Sequence, residues 1–211
     1  MDELDVLADQ AAKLRFEDLP ARVVERAHWV VRDTVGAILG GMAEPEVTRL
    51  ASYAAAKAPG LVTIAGFDRP TTAEYAVLVH GTAGVTLELD EGHAFAQGHA
   101  AIHAVPTALA LGELHGWHGE DVLTAVIVGY EVAARVGVAT QLHPPVHPFG
   151  TWGVLGAAAI GGWSNGVDGR GMRNILDLAA SYAINPSFDA AFKGANVRNT
   201  YAGIVNRTGL L

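Results

Sequence analysis

The chain has 211 residues, which is enough for one large domain or two small ones with a substantial core. Half of the residues are hydrophobic and only 17% are charged, against about 25% in an ordinary soluble domain, so we expect part of the surface to pack against another subunit or domain. The formal net charge of −8, without any run of Lys or Arg, argues against nucleic acid or an anionic membrane surface as a partner.

Cysteine is absent from the sequence. Its absence rules out disulfides and thiol chemistry and fits a reducing cytoplasm. No signal-peptide pattern opens the chain, and the longest apolar stretches, such as 122–129 and 154–160, are far shorter than the roughly 20 residues of a membrane helix. We therefore expect a soluble protein located in the cytoplasm.

Apolar residues recur at helical spacing along most of the chain. Start and stop signals accompany that spacing, such as Pro20 in a first turn and Gly116 after a last turn. The run 61–65 is the one strand-like piece. The predicted helices are 18–41, 46–58, 71–89, 104–115, 120–136, 150–163, 168–184 and 201–211. This pattern, without repeats or linkers, predicts one mostly α domain.

Local signals make further predictions about these helices. Asp18 is expected to cap the first, Thr71 to Glu74 have the form of a capping box, and Gly137 is expected to end its helix. Glycines inside helices cost up to about 1 kcal/mol each relative to Ala, which predicts close helix-to-helix approach. Those glycines are Gly36, Gly40, Gly129, Gly153 and Gly156.

The stretch LDEGHAFAQGHAAIH, from Leu89 to His103, holds two acids and three histidines. One interpretation is proton transfer, with an imidazole tuned by a nearby carboxylate. A second is that the acids cap a helix end and the histidines are solvated. A third is a metal-dependent hydrolase, because His99 and His103 have i, i+4 spacing. Its ligands would be Asp90, His93, His99 and His103.

Two later stretches offer groups suited to a carboxylate substrate. In HPPVHPFGTWGVLGAAA, His147 and Thr151 lie at a predicted helix start, where backbone N–H groups favour anions. In GANVRNTYAG, Arg198 and Tyr201 are three residues apart and are predicted to share a helix face. Arg198 is able to clamp a carboxylate and Tyr201 to relay a proton. The alternatives are a Pro-stiffened loop with a partly buried His, and a surface ion-pair partner beside a core aromatic.

Together these stretches resemble the MmgE/PrpD family, which includes 2-methylcitrate dehydratase, cis-aconitate decarboxylase and iminodisuccinate epimerase. The resemblance runs along almost the whole chain. The segments that carry it are DTVGAILGG from Asp33, ELDEGHAFAQGH from Glu88, GYEVAARVG from Gly129, HPFGTWGVLGAAA from His147 and GANVRNTYAGIVNRTGLL from Gly194.

The resemblance also implies roles for individual residues. The first site of the family is similar to D-F-D-D-T-H, five residues, then H-P-S, and the second to H-P-T-G-T. On these patterns His99 is the principal acid/base, with Glu88 and Asp90 as its orienting carboxylates. The other implied roles are a second proton carrier or oxyanion donor at His147, a carboxylate holder at Arg198, Tyr201 beside it, and further substrate contacts at His93 and Thr151.

This chain departs from the family pattern at several places. Glu replaces Asp at 88 and 91, Gly92 replaces Thr, and Ala100 replaces Pro. Where many members have lysine and histidine, this chain has Arg198 and Tyr201. Arg does not readily release a proton, so carboxylate binding at that place is expected to survive and an acid/base role is not.

The implied fold is an all-α helical domain over residues 1–211, without the family's second α+β domain, from a fragment or one chain of a split enzyme. The implied function is a lyase, similar to 2-methylcitrate dehydratase, that moves a proton next to a carboxylate of a small di- or tricarboxylate. The resemblance implies no metal or organic cofactor. The expected partner is a second copy, or a chain that supplies the missing domain. An epimerase of an iminodisuccinate-like dicarboxylate and a non-catalytic assembly subunit remain alternatives.

Overall fold

The computed structural model describes residues 2–211, and these residues fold into helices joined by loops and one-turn 3₁₀ segments. No β-strand occurs within that range, so the all-α prediction is confirmed. The helices are α1 (Glu3–Lys13), α2 (Ala21–Gly41), α3 (Pro45–Lys57), α4 (Ala73–Thr86), α5 (Ala101–His115), α6 (Gly119–Ala139), α7 (Gly153–Ser164), α8 (Gly169–Ala180), α9 (Asp189–Phe192) and α10 (Thr200–Leu210).

The position of each helix, central or peripheral, follows from how much of its surface is apolar. Helices α4, α5 and α7 are apolar on nearly all sides and are buried at the centre. Helix α10 packs against α4 and α7, and α6 packs against α5 and α7. The amphipathic helices α1, α2, α3 and α8 cover this centre with one apolar face each.

Helix α6 is 21 residues long and is apolar enough, by length and composition, to cross a membrane. The short uninterrupted apolar stretches did not indicate this. In the structure, 61% of its most apolar window is buried inside the protein, where it packs on α5 and α7. This is the placement of a core helix.

Glycines allow two pairs of these helices to approach closely. A Cβ at Gly203 of α10 would lie 2.2 Å from the Leu78 carbonyl oxygen of α4, and a Cβ at Gly156 of α7 would lie 2.7 Å from the Gly129 carbonyl oxygen of α6. The predicted close approach is therefore confirmed at Gly129 and Gly156. It is wrong at Gly36, where a Cβ would meet nothing within 4 Å.

Several predicted helix ends differ from those in the structure. Asp18 lies in a 3₁₀ segment, and Pro20 precedes the first residue of α2. The buried Thr71 hydroxyl contacts the carbonyls of Ala54 and Ala58 at 3.1 and 2.8 Å, so it satisfies the C-terminal end of α3 rather than forming a capping box.

Two further local predictions differ from the structure. Gly137 lies inside α6, where a Cβ would meet Ala96 and Trp152 at 2.9 and 3.0 Å; packing explains this glycine, and the helix continues to Ala139. The strand-like run 61–65 forms one isolated bridge, from Val62 to Thr71. With a single bridge, no sheet forms there.

Substituting Gly203 by Ala tests the helix contact between α4 and α10. The added methyl group would clash with backbone, so we expect Gly203→Ala to lower the free energy of unfolding by about 1–3 kcal/mol. Gly36→Ala in the exposed part of α2 is the matched control, and we expect it to raise that free energy by up to about 1 kcal/mol. Urea unfolding of the three proteins measures both changes, and equal stability of Gly203→Ala and the unmodified protein would contradict the analysis.

Candidate active site

The acidic and His-rich stretch, up to Ala100, forms a loop between α4 and α5. Glu91 anchors this loop: its Oε2 accepts a hydrogen bond from the N–H of Ala101, at the start of α5, at 3.0 Å, and its Oε1 accepts one from the Tyr130 hydroxyl at 2.6 Å. Glu91 therefore caps a helix end, as one of the open interpretations predicted for these acids. The fixed loop holds the neighbouring residues at defined positions.

Asp90 and His99 form an ion pair inside this loop. His99 Nδ1 lies 2.9 Å from Asp90 Oδ2, and the Asp90 side chain is 1% exposed while that of His99 is 28% exposed. Burial by itself lowers the pKa of His99, but the hydrogen bond and charge of Asp90, followed by Glu91, outweigh it and raise the pKa above its usual value. His99 is thus a partly exposed imidazole that favours its protonated form.

His147 is the opposite kind of imidazole. It lies at the start of the 3₁₀ segment Pro148–Gly150, and its Nδ1 accepts a hydrogen bond from the Phe149 N–H at 3.3 Å. Burial, and then the positive charges of Arg198 and His99, lower its pKa to about 4. His147 is therefore neutral near pH 7 and carries its proton on Nε2, a buried atom that has no hydrogen-bond partner within the described residues.

Arg198 supplies a fixed, buried positive charge. Its Nη1 donates to the Val85 carbonyl at 3.1 Å, and its Cζ lies 4.8 Å from the centre of the Phe149 ring. The guanidinium also forms an ion pair with Glu88. Glu88 thus differs from the prediction, because its carboxylate pairs with Arg198 whereas Asp90 is the carboxylate that contacts His99.

The predicted shared helix face of Arg198 and Tyr201 is wrong. Arg198 belongs to the 3₁₀ segment Asn196–Asn199, and Tyr201 lies in the first turn of α10. Tyr201 is buried, and its ring meets the ring of His147 edge-on at a centroid distance of 5.7 Å. It lies behind His147, as the core-aromatic alternative predicted.

The remaining predicted contacts are Thr151 and His93. The Thr151 hydroxyl is buried and donates to the Pro148 carbonyl at 2.7 Å, so it closes the turn that holds His147. His93 Nδ1 accepts from the Ala96 N–H at 3.0 Å. Of these two residues, His93 lies along the cleft and Thr151 supports the turn behind it.

The three sequence stretches converge on one open cleft of about 710 Å³. Loop 87–100 forms one wall, the turn at His147 forms the second, and the segment before α10 forms the third. The ionisable side chains that line the cleft are Glu88, His93, His99, His147 and Arg198. Asp90 and Tyr201 lie behind this lining and support His99 and His147.

Phe149 connects the groups of the site, and the sequence analysis missed it. The ring is fully buried, with the rings of His99 and His147 at centroid distances of 4.9 and 4.8 Å and the Arg198 guanidinium at 4.8 Å. Its position two residues after His147 is the one signal in the sequence that could have indicated this role.

His103 is a structural residue beneath the site. It is fully buried, its Nδ1 lies 2.7 Å from Asn206 Oδ1, and Asn206 Nδ2 donates to the Ile102 carbonyl at 2.8 Å. Burial lowers the pKa of His103 to about 4, against a smaller opposite effect of Asn206. Asn206 is a second residue that the sequence analysis missed.

The metal-ligand arrangement expected for a hydrolase differs from what is observed. Helix α5 begins at Ala101, so His99 precedes it, and the predicted His99/His103 helix face is wrong. Within residues 2–211, no three His, Asp or Glu side chains are grouped so that they could hold a metal ion. His99 instead contacts Asp90, and His103 contacts Asn206.

Comparison with known proteins places the chain in a family. The model of the MmgE/PrpD N-terminal domain matches residues 5–205. Cis-aconitate decarboxylase from Aspergillus terreus is 26% identical over 211 residues, covering 95% of this chain and 43% of that protein. Cis-aconitate decarboxylase from Homo sapiens is 29% identical over 188 residues, covering 84% of this chain and 39% of that protein.

The chain therefore belongs to the MmgE/PrpD family and corresponds to its N-terminal domain. It spans less than half the length of these curated relatives. Both relatives are lyases, and their names state that they decarboxylate cis-aconitate.

Replacing Asp90 by Asn tests the origin of the His99 pKa. Burial is already the largest single effect on this pKa, and without the carboxylate charge less opposes it, so we expect the pKa of His99 to fall below its value in the unmodified protein. NMR titration of the histidine ring signals measures this shift. Asp121→Asn, at the start of α6, removes an equal charge elsewhere and is expected to leave His99 unchanged. An unaltered His99 pKa in Asp90→Asn would refute the assignment.

Proposed function

We propose that this chain provides the proton-transfer half of a lyase that removes CO₂ from a small tricarboxylate similar to cis-aconitate. The observation that carries the proposal is the cleft itself, in which a protonated imidazole, a neutral imidazole and a buried guanidinium surround one ring. The curated relatives, which are cis-aconitate decarboxylases, support the choice of decarboxylation.

Arg198 would bind and orient one substrate carboxylate. An Arg–carboxylate pair is strong and directional when the guanidinium is partly desolvated, and Arg198 is 7% exposed. Its contacts with Val85 and Phe149 fix the guanidinium before any substrate arrives. The bound carboxylate would then place the reacting carbon near the two histidines.

The two histidines would divide the remaining work. When the bond from carbon to the departing carboxylate breaks, its electron pair stays on the substrate and CO₂ leaves. His99, protonated and paired with Asp90, would donate its proton to the carbon that carries this charge. His147, neutral with Nε2–H, would donate a hydrogen bond to oxygen atoms on which charge develops. Opposite pKa shifts are what such a division requires.

A second domain is part of this proposal. The cleft is open on one side, and the chain spans less than half of the curated relatives. We infer that a further segment, in the same polypeptide or in a separate chain, closes the cleft and excludes water. A second copy of the protein is the expected partner in the complete assembly.

Replacing His99 by Gln tests the proton donor in the complete assembly. We expect kcat to fall by about 100-fold or more, because general acid catalysis contributes about that much, with little loss of stability. His28→Gln on the exposed face of α2 is the control for losing a histidine. Retained turnover in His99→Gln would contradict the proposal.

Product analysis with the unmodified enzyme is equally decisive, since release of water without CO₂ indicates a dehydratase and racemisation alone indicates an epimerase.

Replacing Arg198 separates carboxylate binding from proton transfer. We expect Arg198→Gln to raise KM by about tenfold to 100-fold, because a charge-assisted contact is lost, and Arg198→Lys to retain part of the binding because the charge remains. Steady-state kinetics on cis-aconitate measure both. A fall in kcat at unchanged KM in both variants would assign Arg198 a different role.

The size of the natural gene product tests the proposed second domain. We expect native mass measurement from the source cells to give either a polypeptide near twice 22.0 kDa or a complex between this chain and a second polypeptide. A 22.0 kDa chain without such a partner would favour the non-catalytic alternative.

A further inference from the structure

We propose that Glu88 is a built-in competitor that occupies Arg198 until a substrate carboxylate displaces it. The proposal rests on the assignment of Arg198 as the carboxylate-binding residue, and it gives Glu88 a role in selecting substrates. The ion pair between the two side chains lies at the cleft, and both residues line it.

Arg198 holds its position without help from Glu88. Its guanidinium donates to the Val85 carbonyl at 3.1 Å and stacks at 4.8 Å on the Phe149 ring. Among the residues that line the cleft in the described chain, Arg198 is the one Lys or Arg side chain. An incoming carboxylate therefore has a single permanent cation to bind, and Glu88 already occupies it.

Glu88 is the acid of this loop that is free to move. Asp90 is buried against His99, and Glu91 is tied to the Ala101 N–H and the Tyr130 hydroxyl. The Glu88 side chain, by contrast, is 61% exposed. It can move into solvent without burying its own charge, and the carboxylate that replaces it then neutralises the buried Arg198 guanidinium.

The backbone at Glu88 supports the same conclusion. Glu88 follows the C-terminus of α4 with φ of 56°, in the left-handed region where helices usually place glycine. A residue with a Cβ is disfavoured there. Glycine would close the helix end more easily, so the observed Glu brings a carboxylate to Arg198 at the expense of local backbone preference.

This competition would favour substrates with several carboxylates. A monocarboxylate exchanges one ion pair for another and gains little. A di- or tricarboxylate replaces Glu88 at Arg198 and also offers a second negative group to protonated His99. The apparent affinity of every ligand is reduced by the fraction of time that Glu88 occupies Arg198. A ligand whose only contact is with Arg198 then binds too weakly to stay in the cleft, whereas a ligand with additional contacts stays bound.

Binding of two carboxylate probes to charge-neutral variants tests the proposal. Acetate and the unreactive tricarboxylate tricarballylate are titrated by NMR and calorimetry into the unmodified protein, Glu88→Gln and Glu131→Gln. Glu131 pairs with Arg135 on the surface, so its variant controls for losing one charge and one Glu–Arg pair. We expect Glu88→Gln to bind acetate about tenfold more tightly, and Glu131→Gln to bind as the unmodified protein does.

A second variant protects the test against misfolding. Glu88→Gly removes the carboxylate and suits the left-handed backbone, so we expect it to fold and to bind acetate as Glu88→Gln does. In the Arg198→Gln background, Glu88→Gln is expected to have no further effect on affinity. Unchanged or weaker acetate binding in both Glu88 variants overturns the proposal.

The two probes separate this proposal from the proposed function. Tighter acetate binding without any tricarballylate binding would support the role of Glu88 and reject the tricarboxylate substrate. Tricarballylate binding that depends on Arg198 but is indifferent to Glu88 would support the substrate class and reject the role of Glu88. Failure of every variant to bind either probe would reject both.

Discussion

The buried ring of Phe149 is the contact on which the candidate active site depends. It touches two imidazoles and a guanidinium that come from three separate segments of the chain. A flat apolar surface can support three cationic or potentially cationic groups because its face attracts positive charge, while its bulk excludes water from beneath them. Removing that ring would remove the one contact that these three groups share.

The two histidines beside this ring show how neighbouring charges set the pKa of an imidazole. Both are shielded from water, His147 almost completely and His99 in part, and burial disfavours the charged imidazolium. His99 has Asp90 at 2.9 Å, and His147 has the positive charge of Arg198 nearby. The same side chain therefore favours its protonated form on one wall and its neutral form on the other, within one cleft.

Much of this arrangement was visible in the sequence, since helical periodicity predicted the fold and the motifs indicated the three site segments. The roles of individual side chains required the structure. Glu88 and Asp90 are two residues apart, but the left-handed turn at Glu88 directs its carboxylate to Arg198. Asn206 is separated by 103 residues from His103, and local spacing contains no information about such a pair. Thr71 and Gly137 have the form of end signals, yet each serves a tertiary contact instead.

The packing around His103 limits which amino-acid substitutions this protein can accept. A Cβ at Gly153 would lie 2.3 Å from the His103 ring, and that ring in turn engages the Asn206 amide on a third helix. A larger residue at any one of these positions needs a smaller or differently polar residue at another. The three positions are therefore expected to vary together among homologues, as one inherited unit that spans α5, α7 and α10.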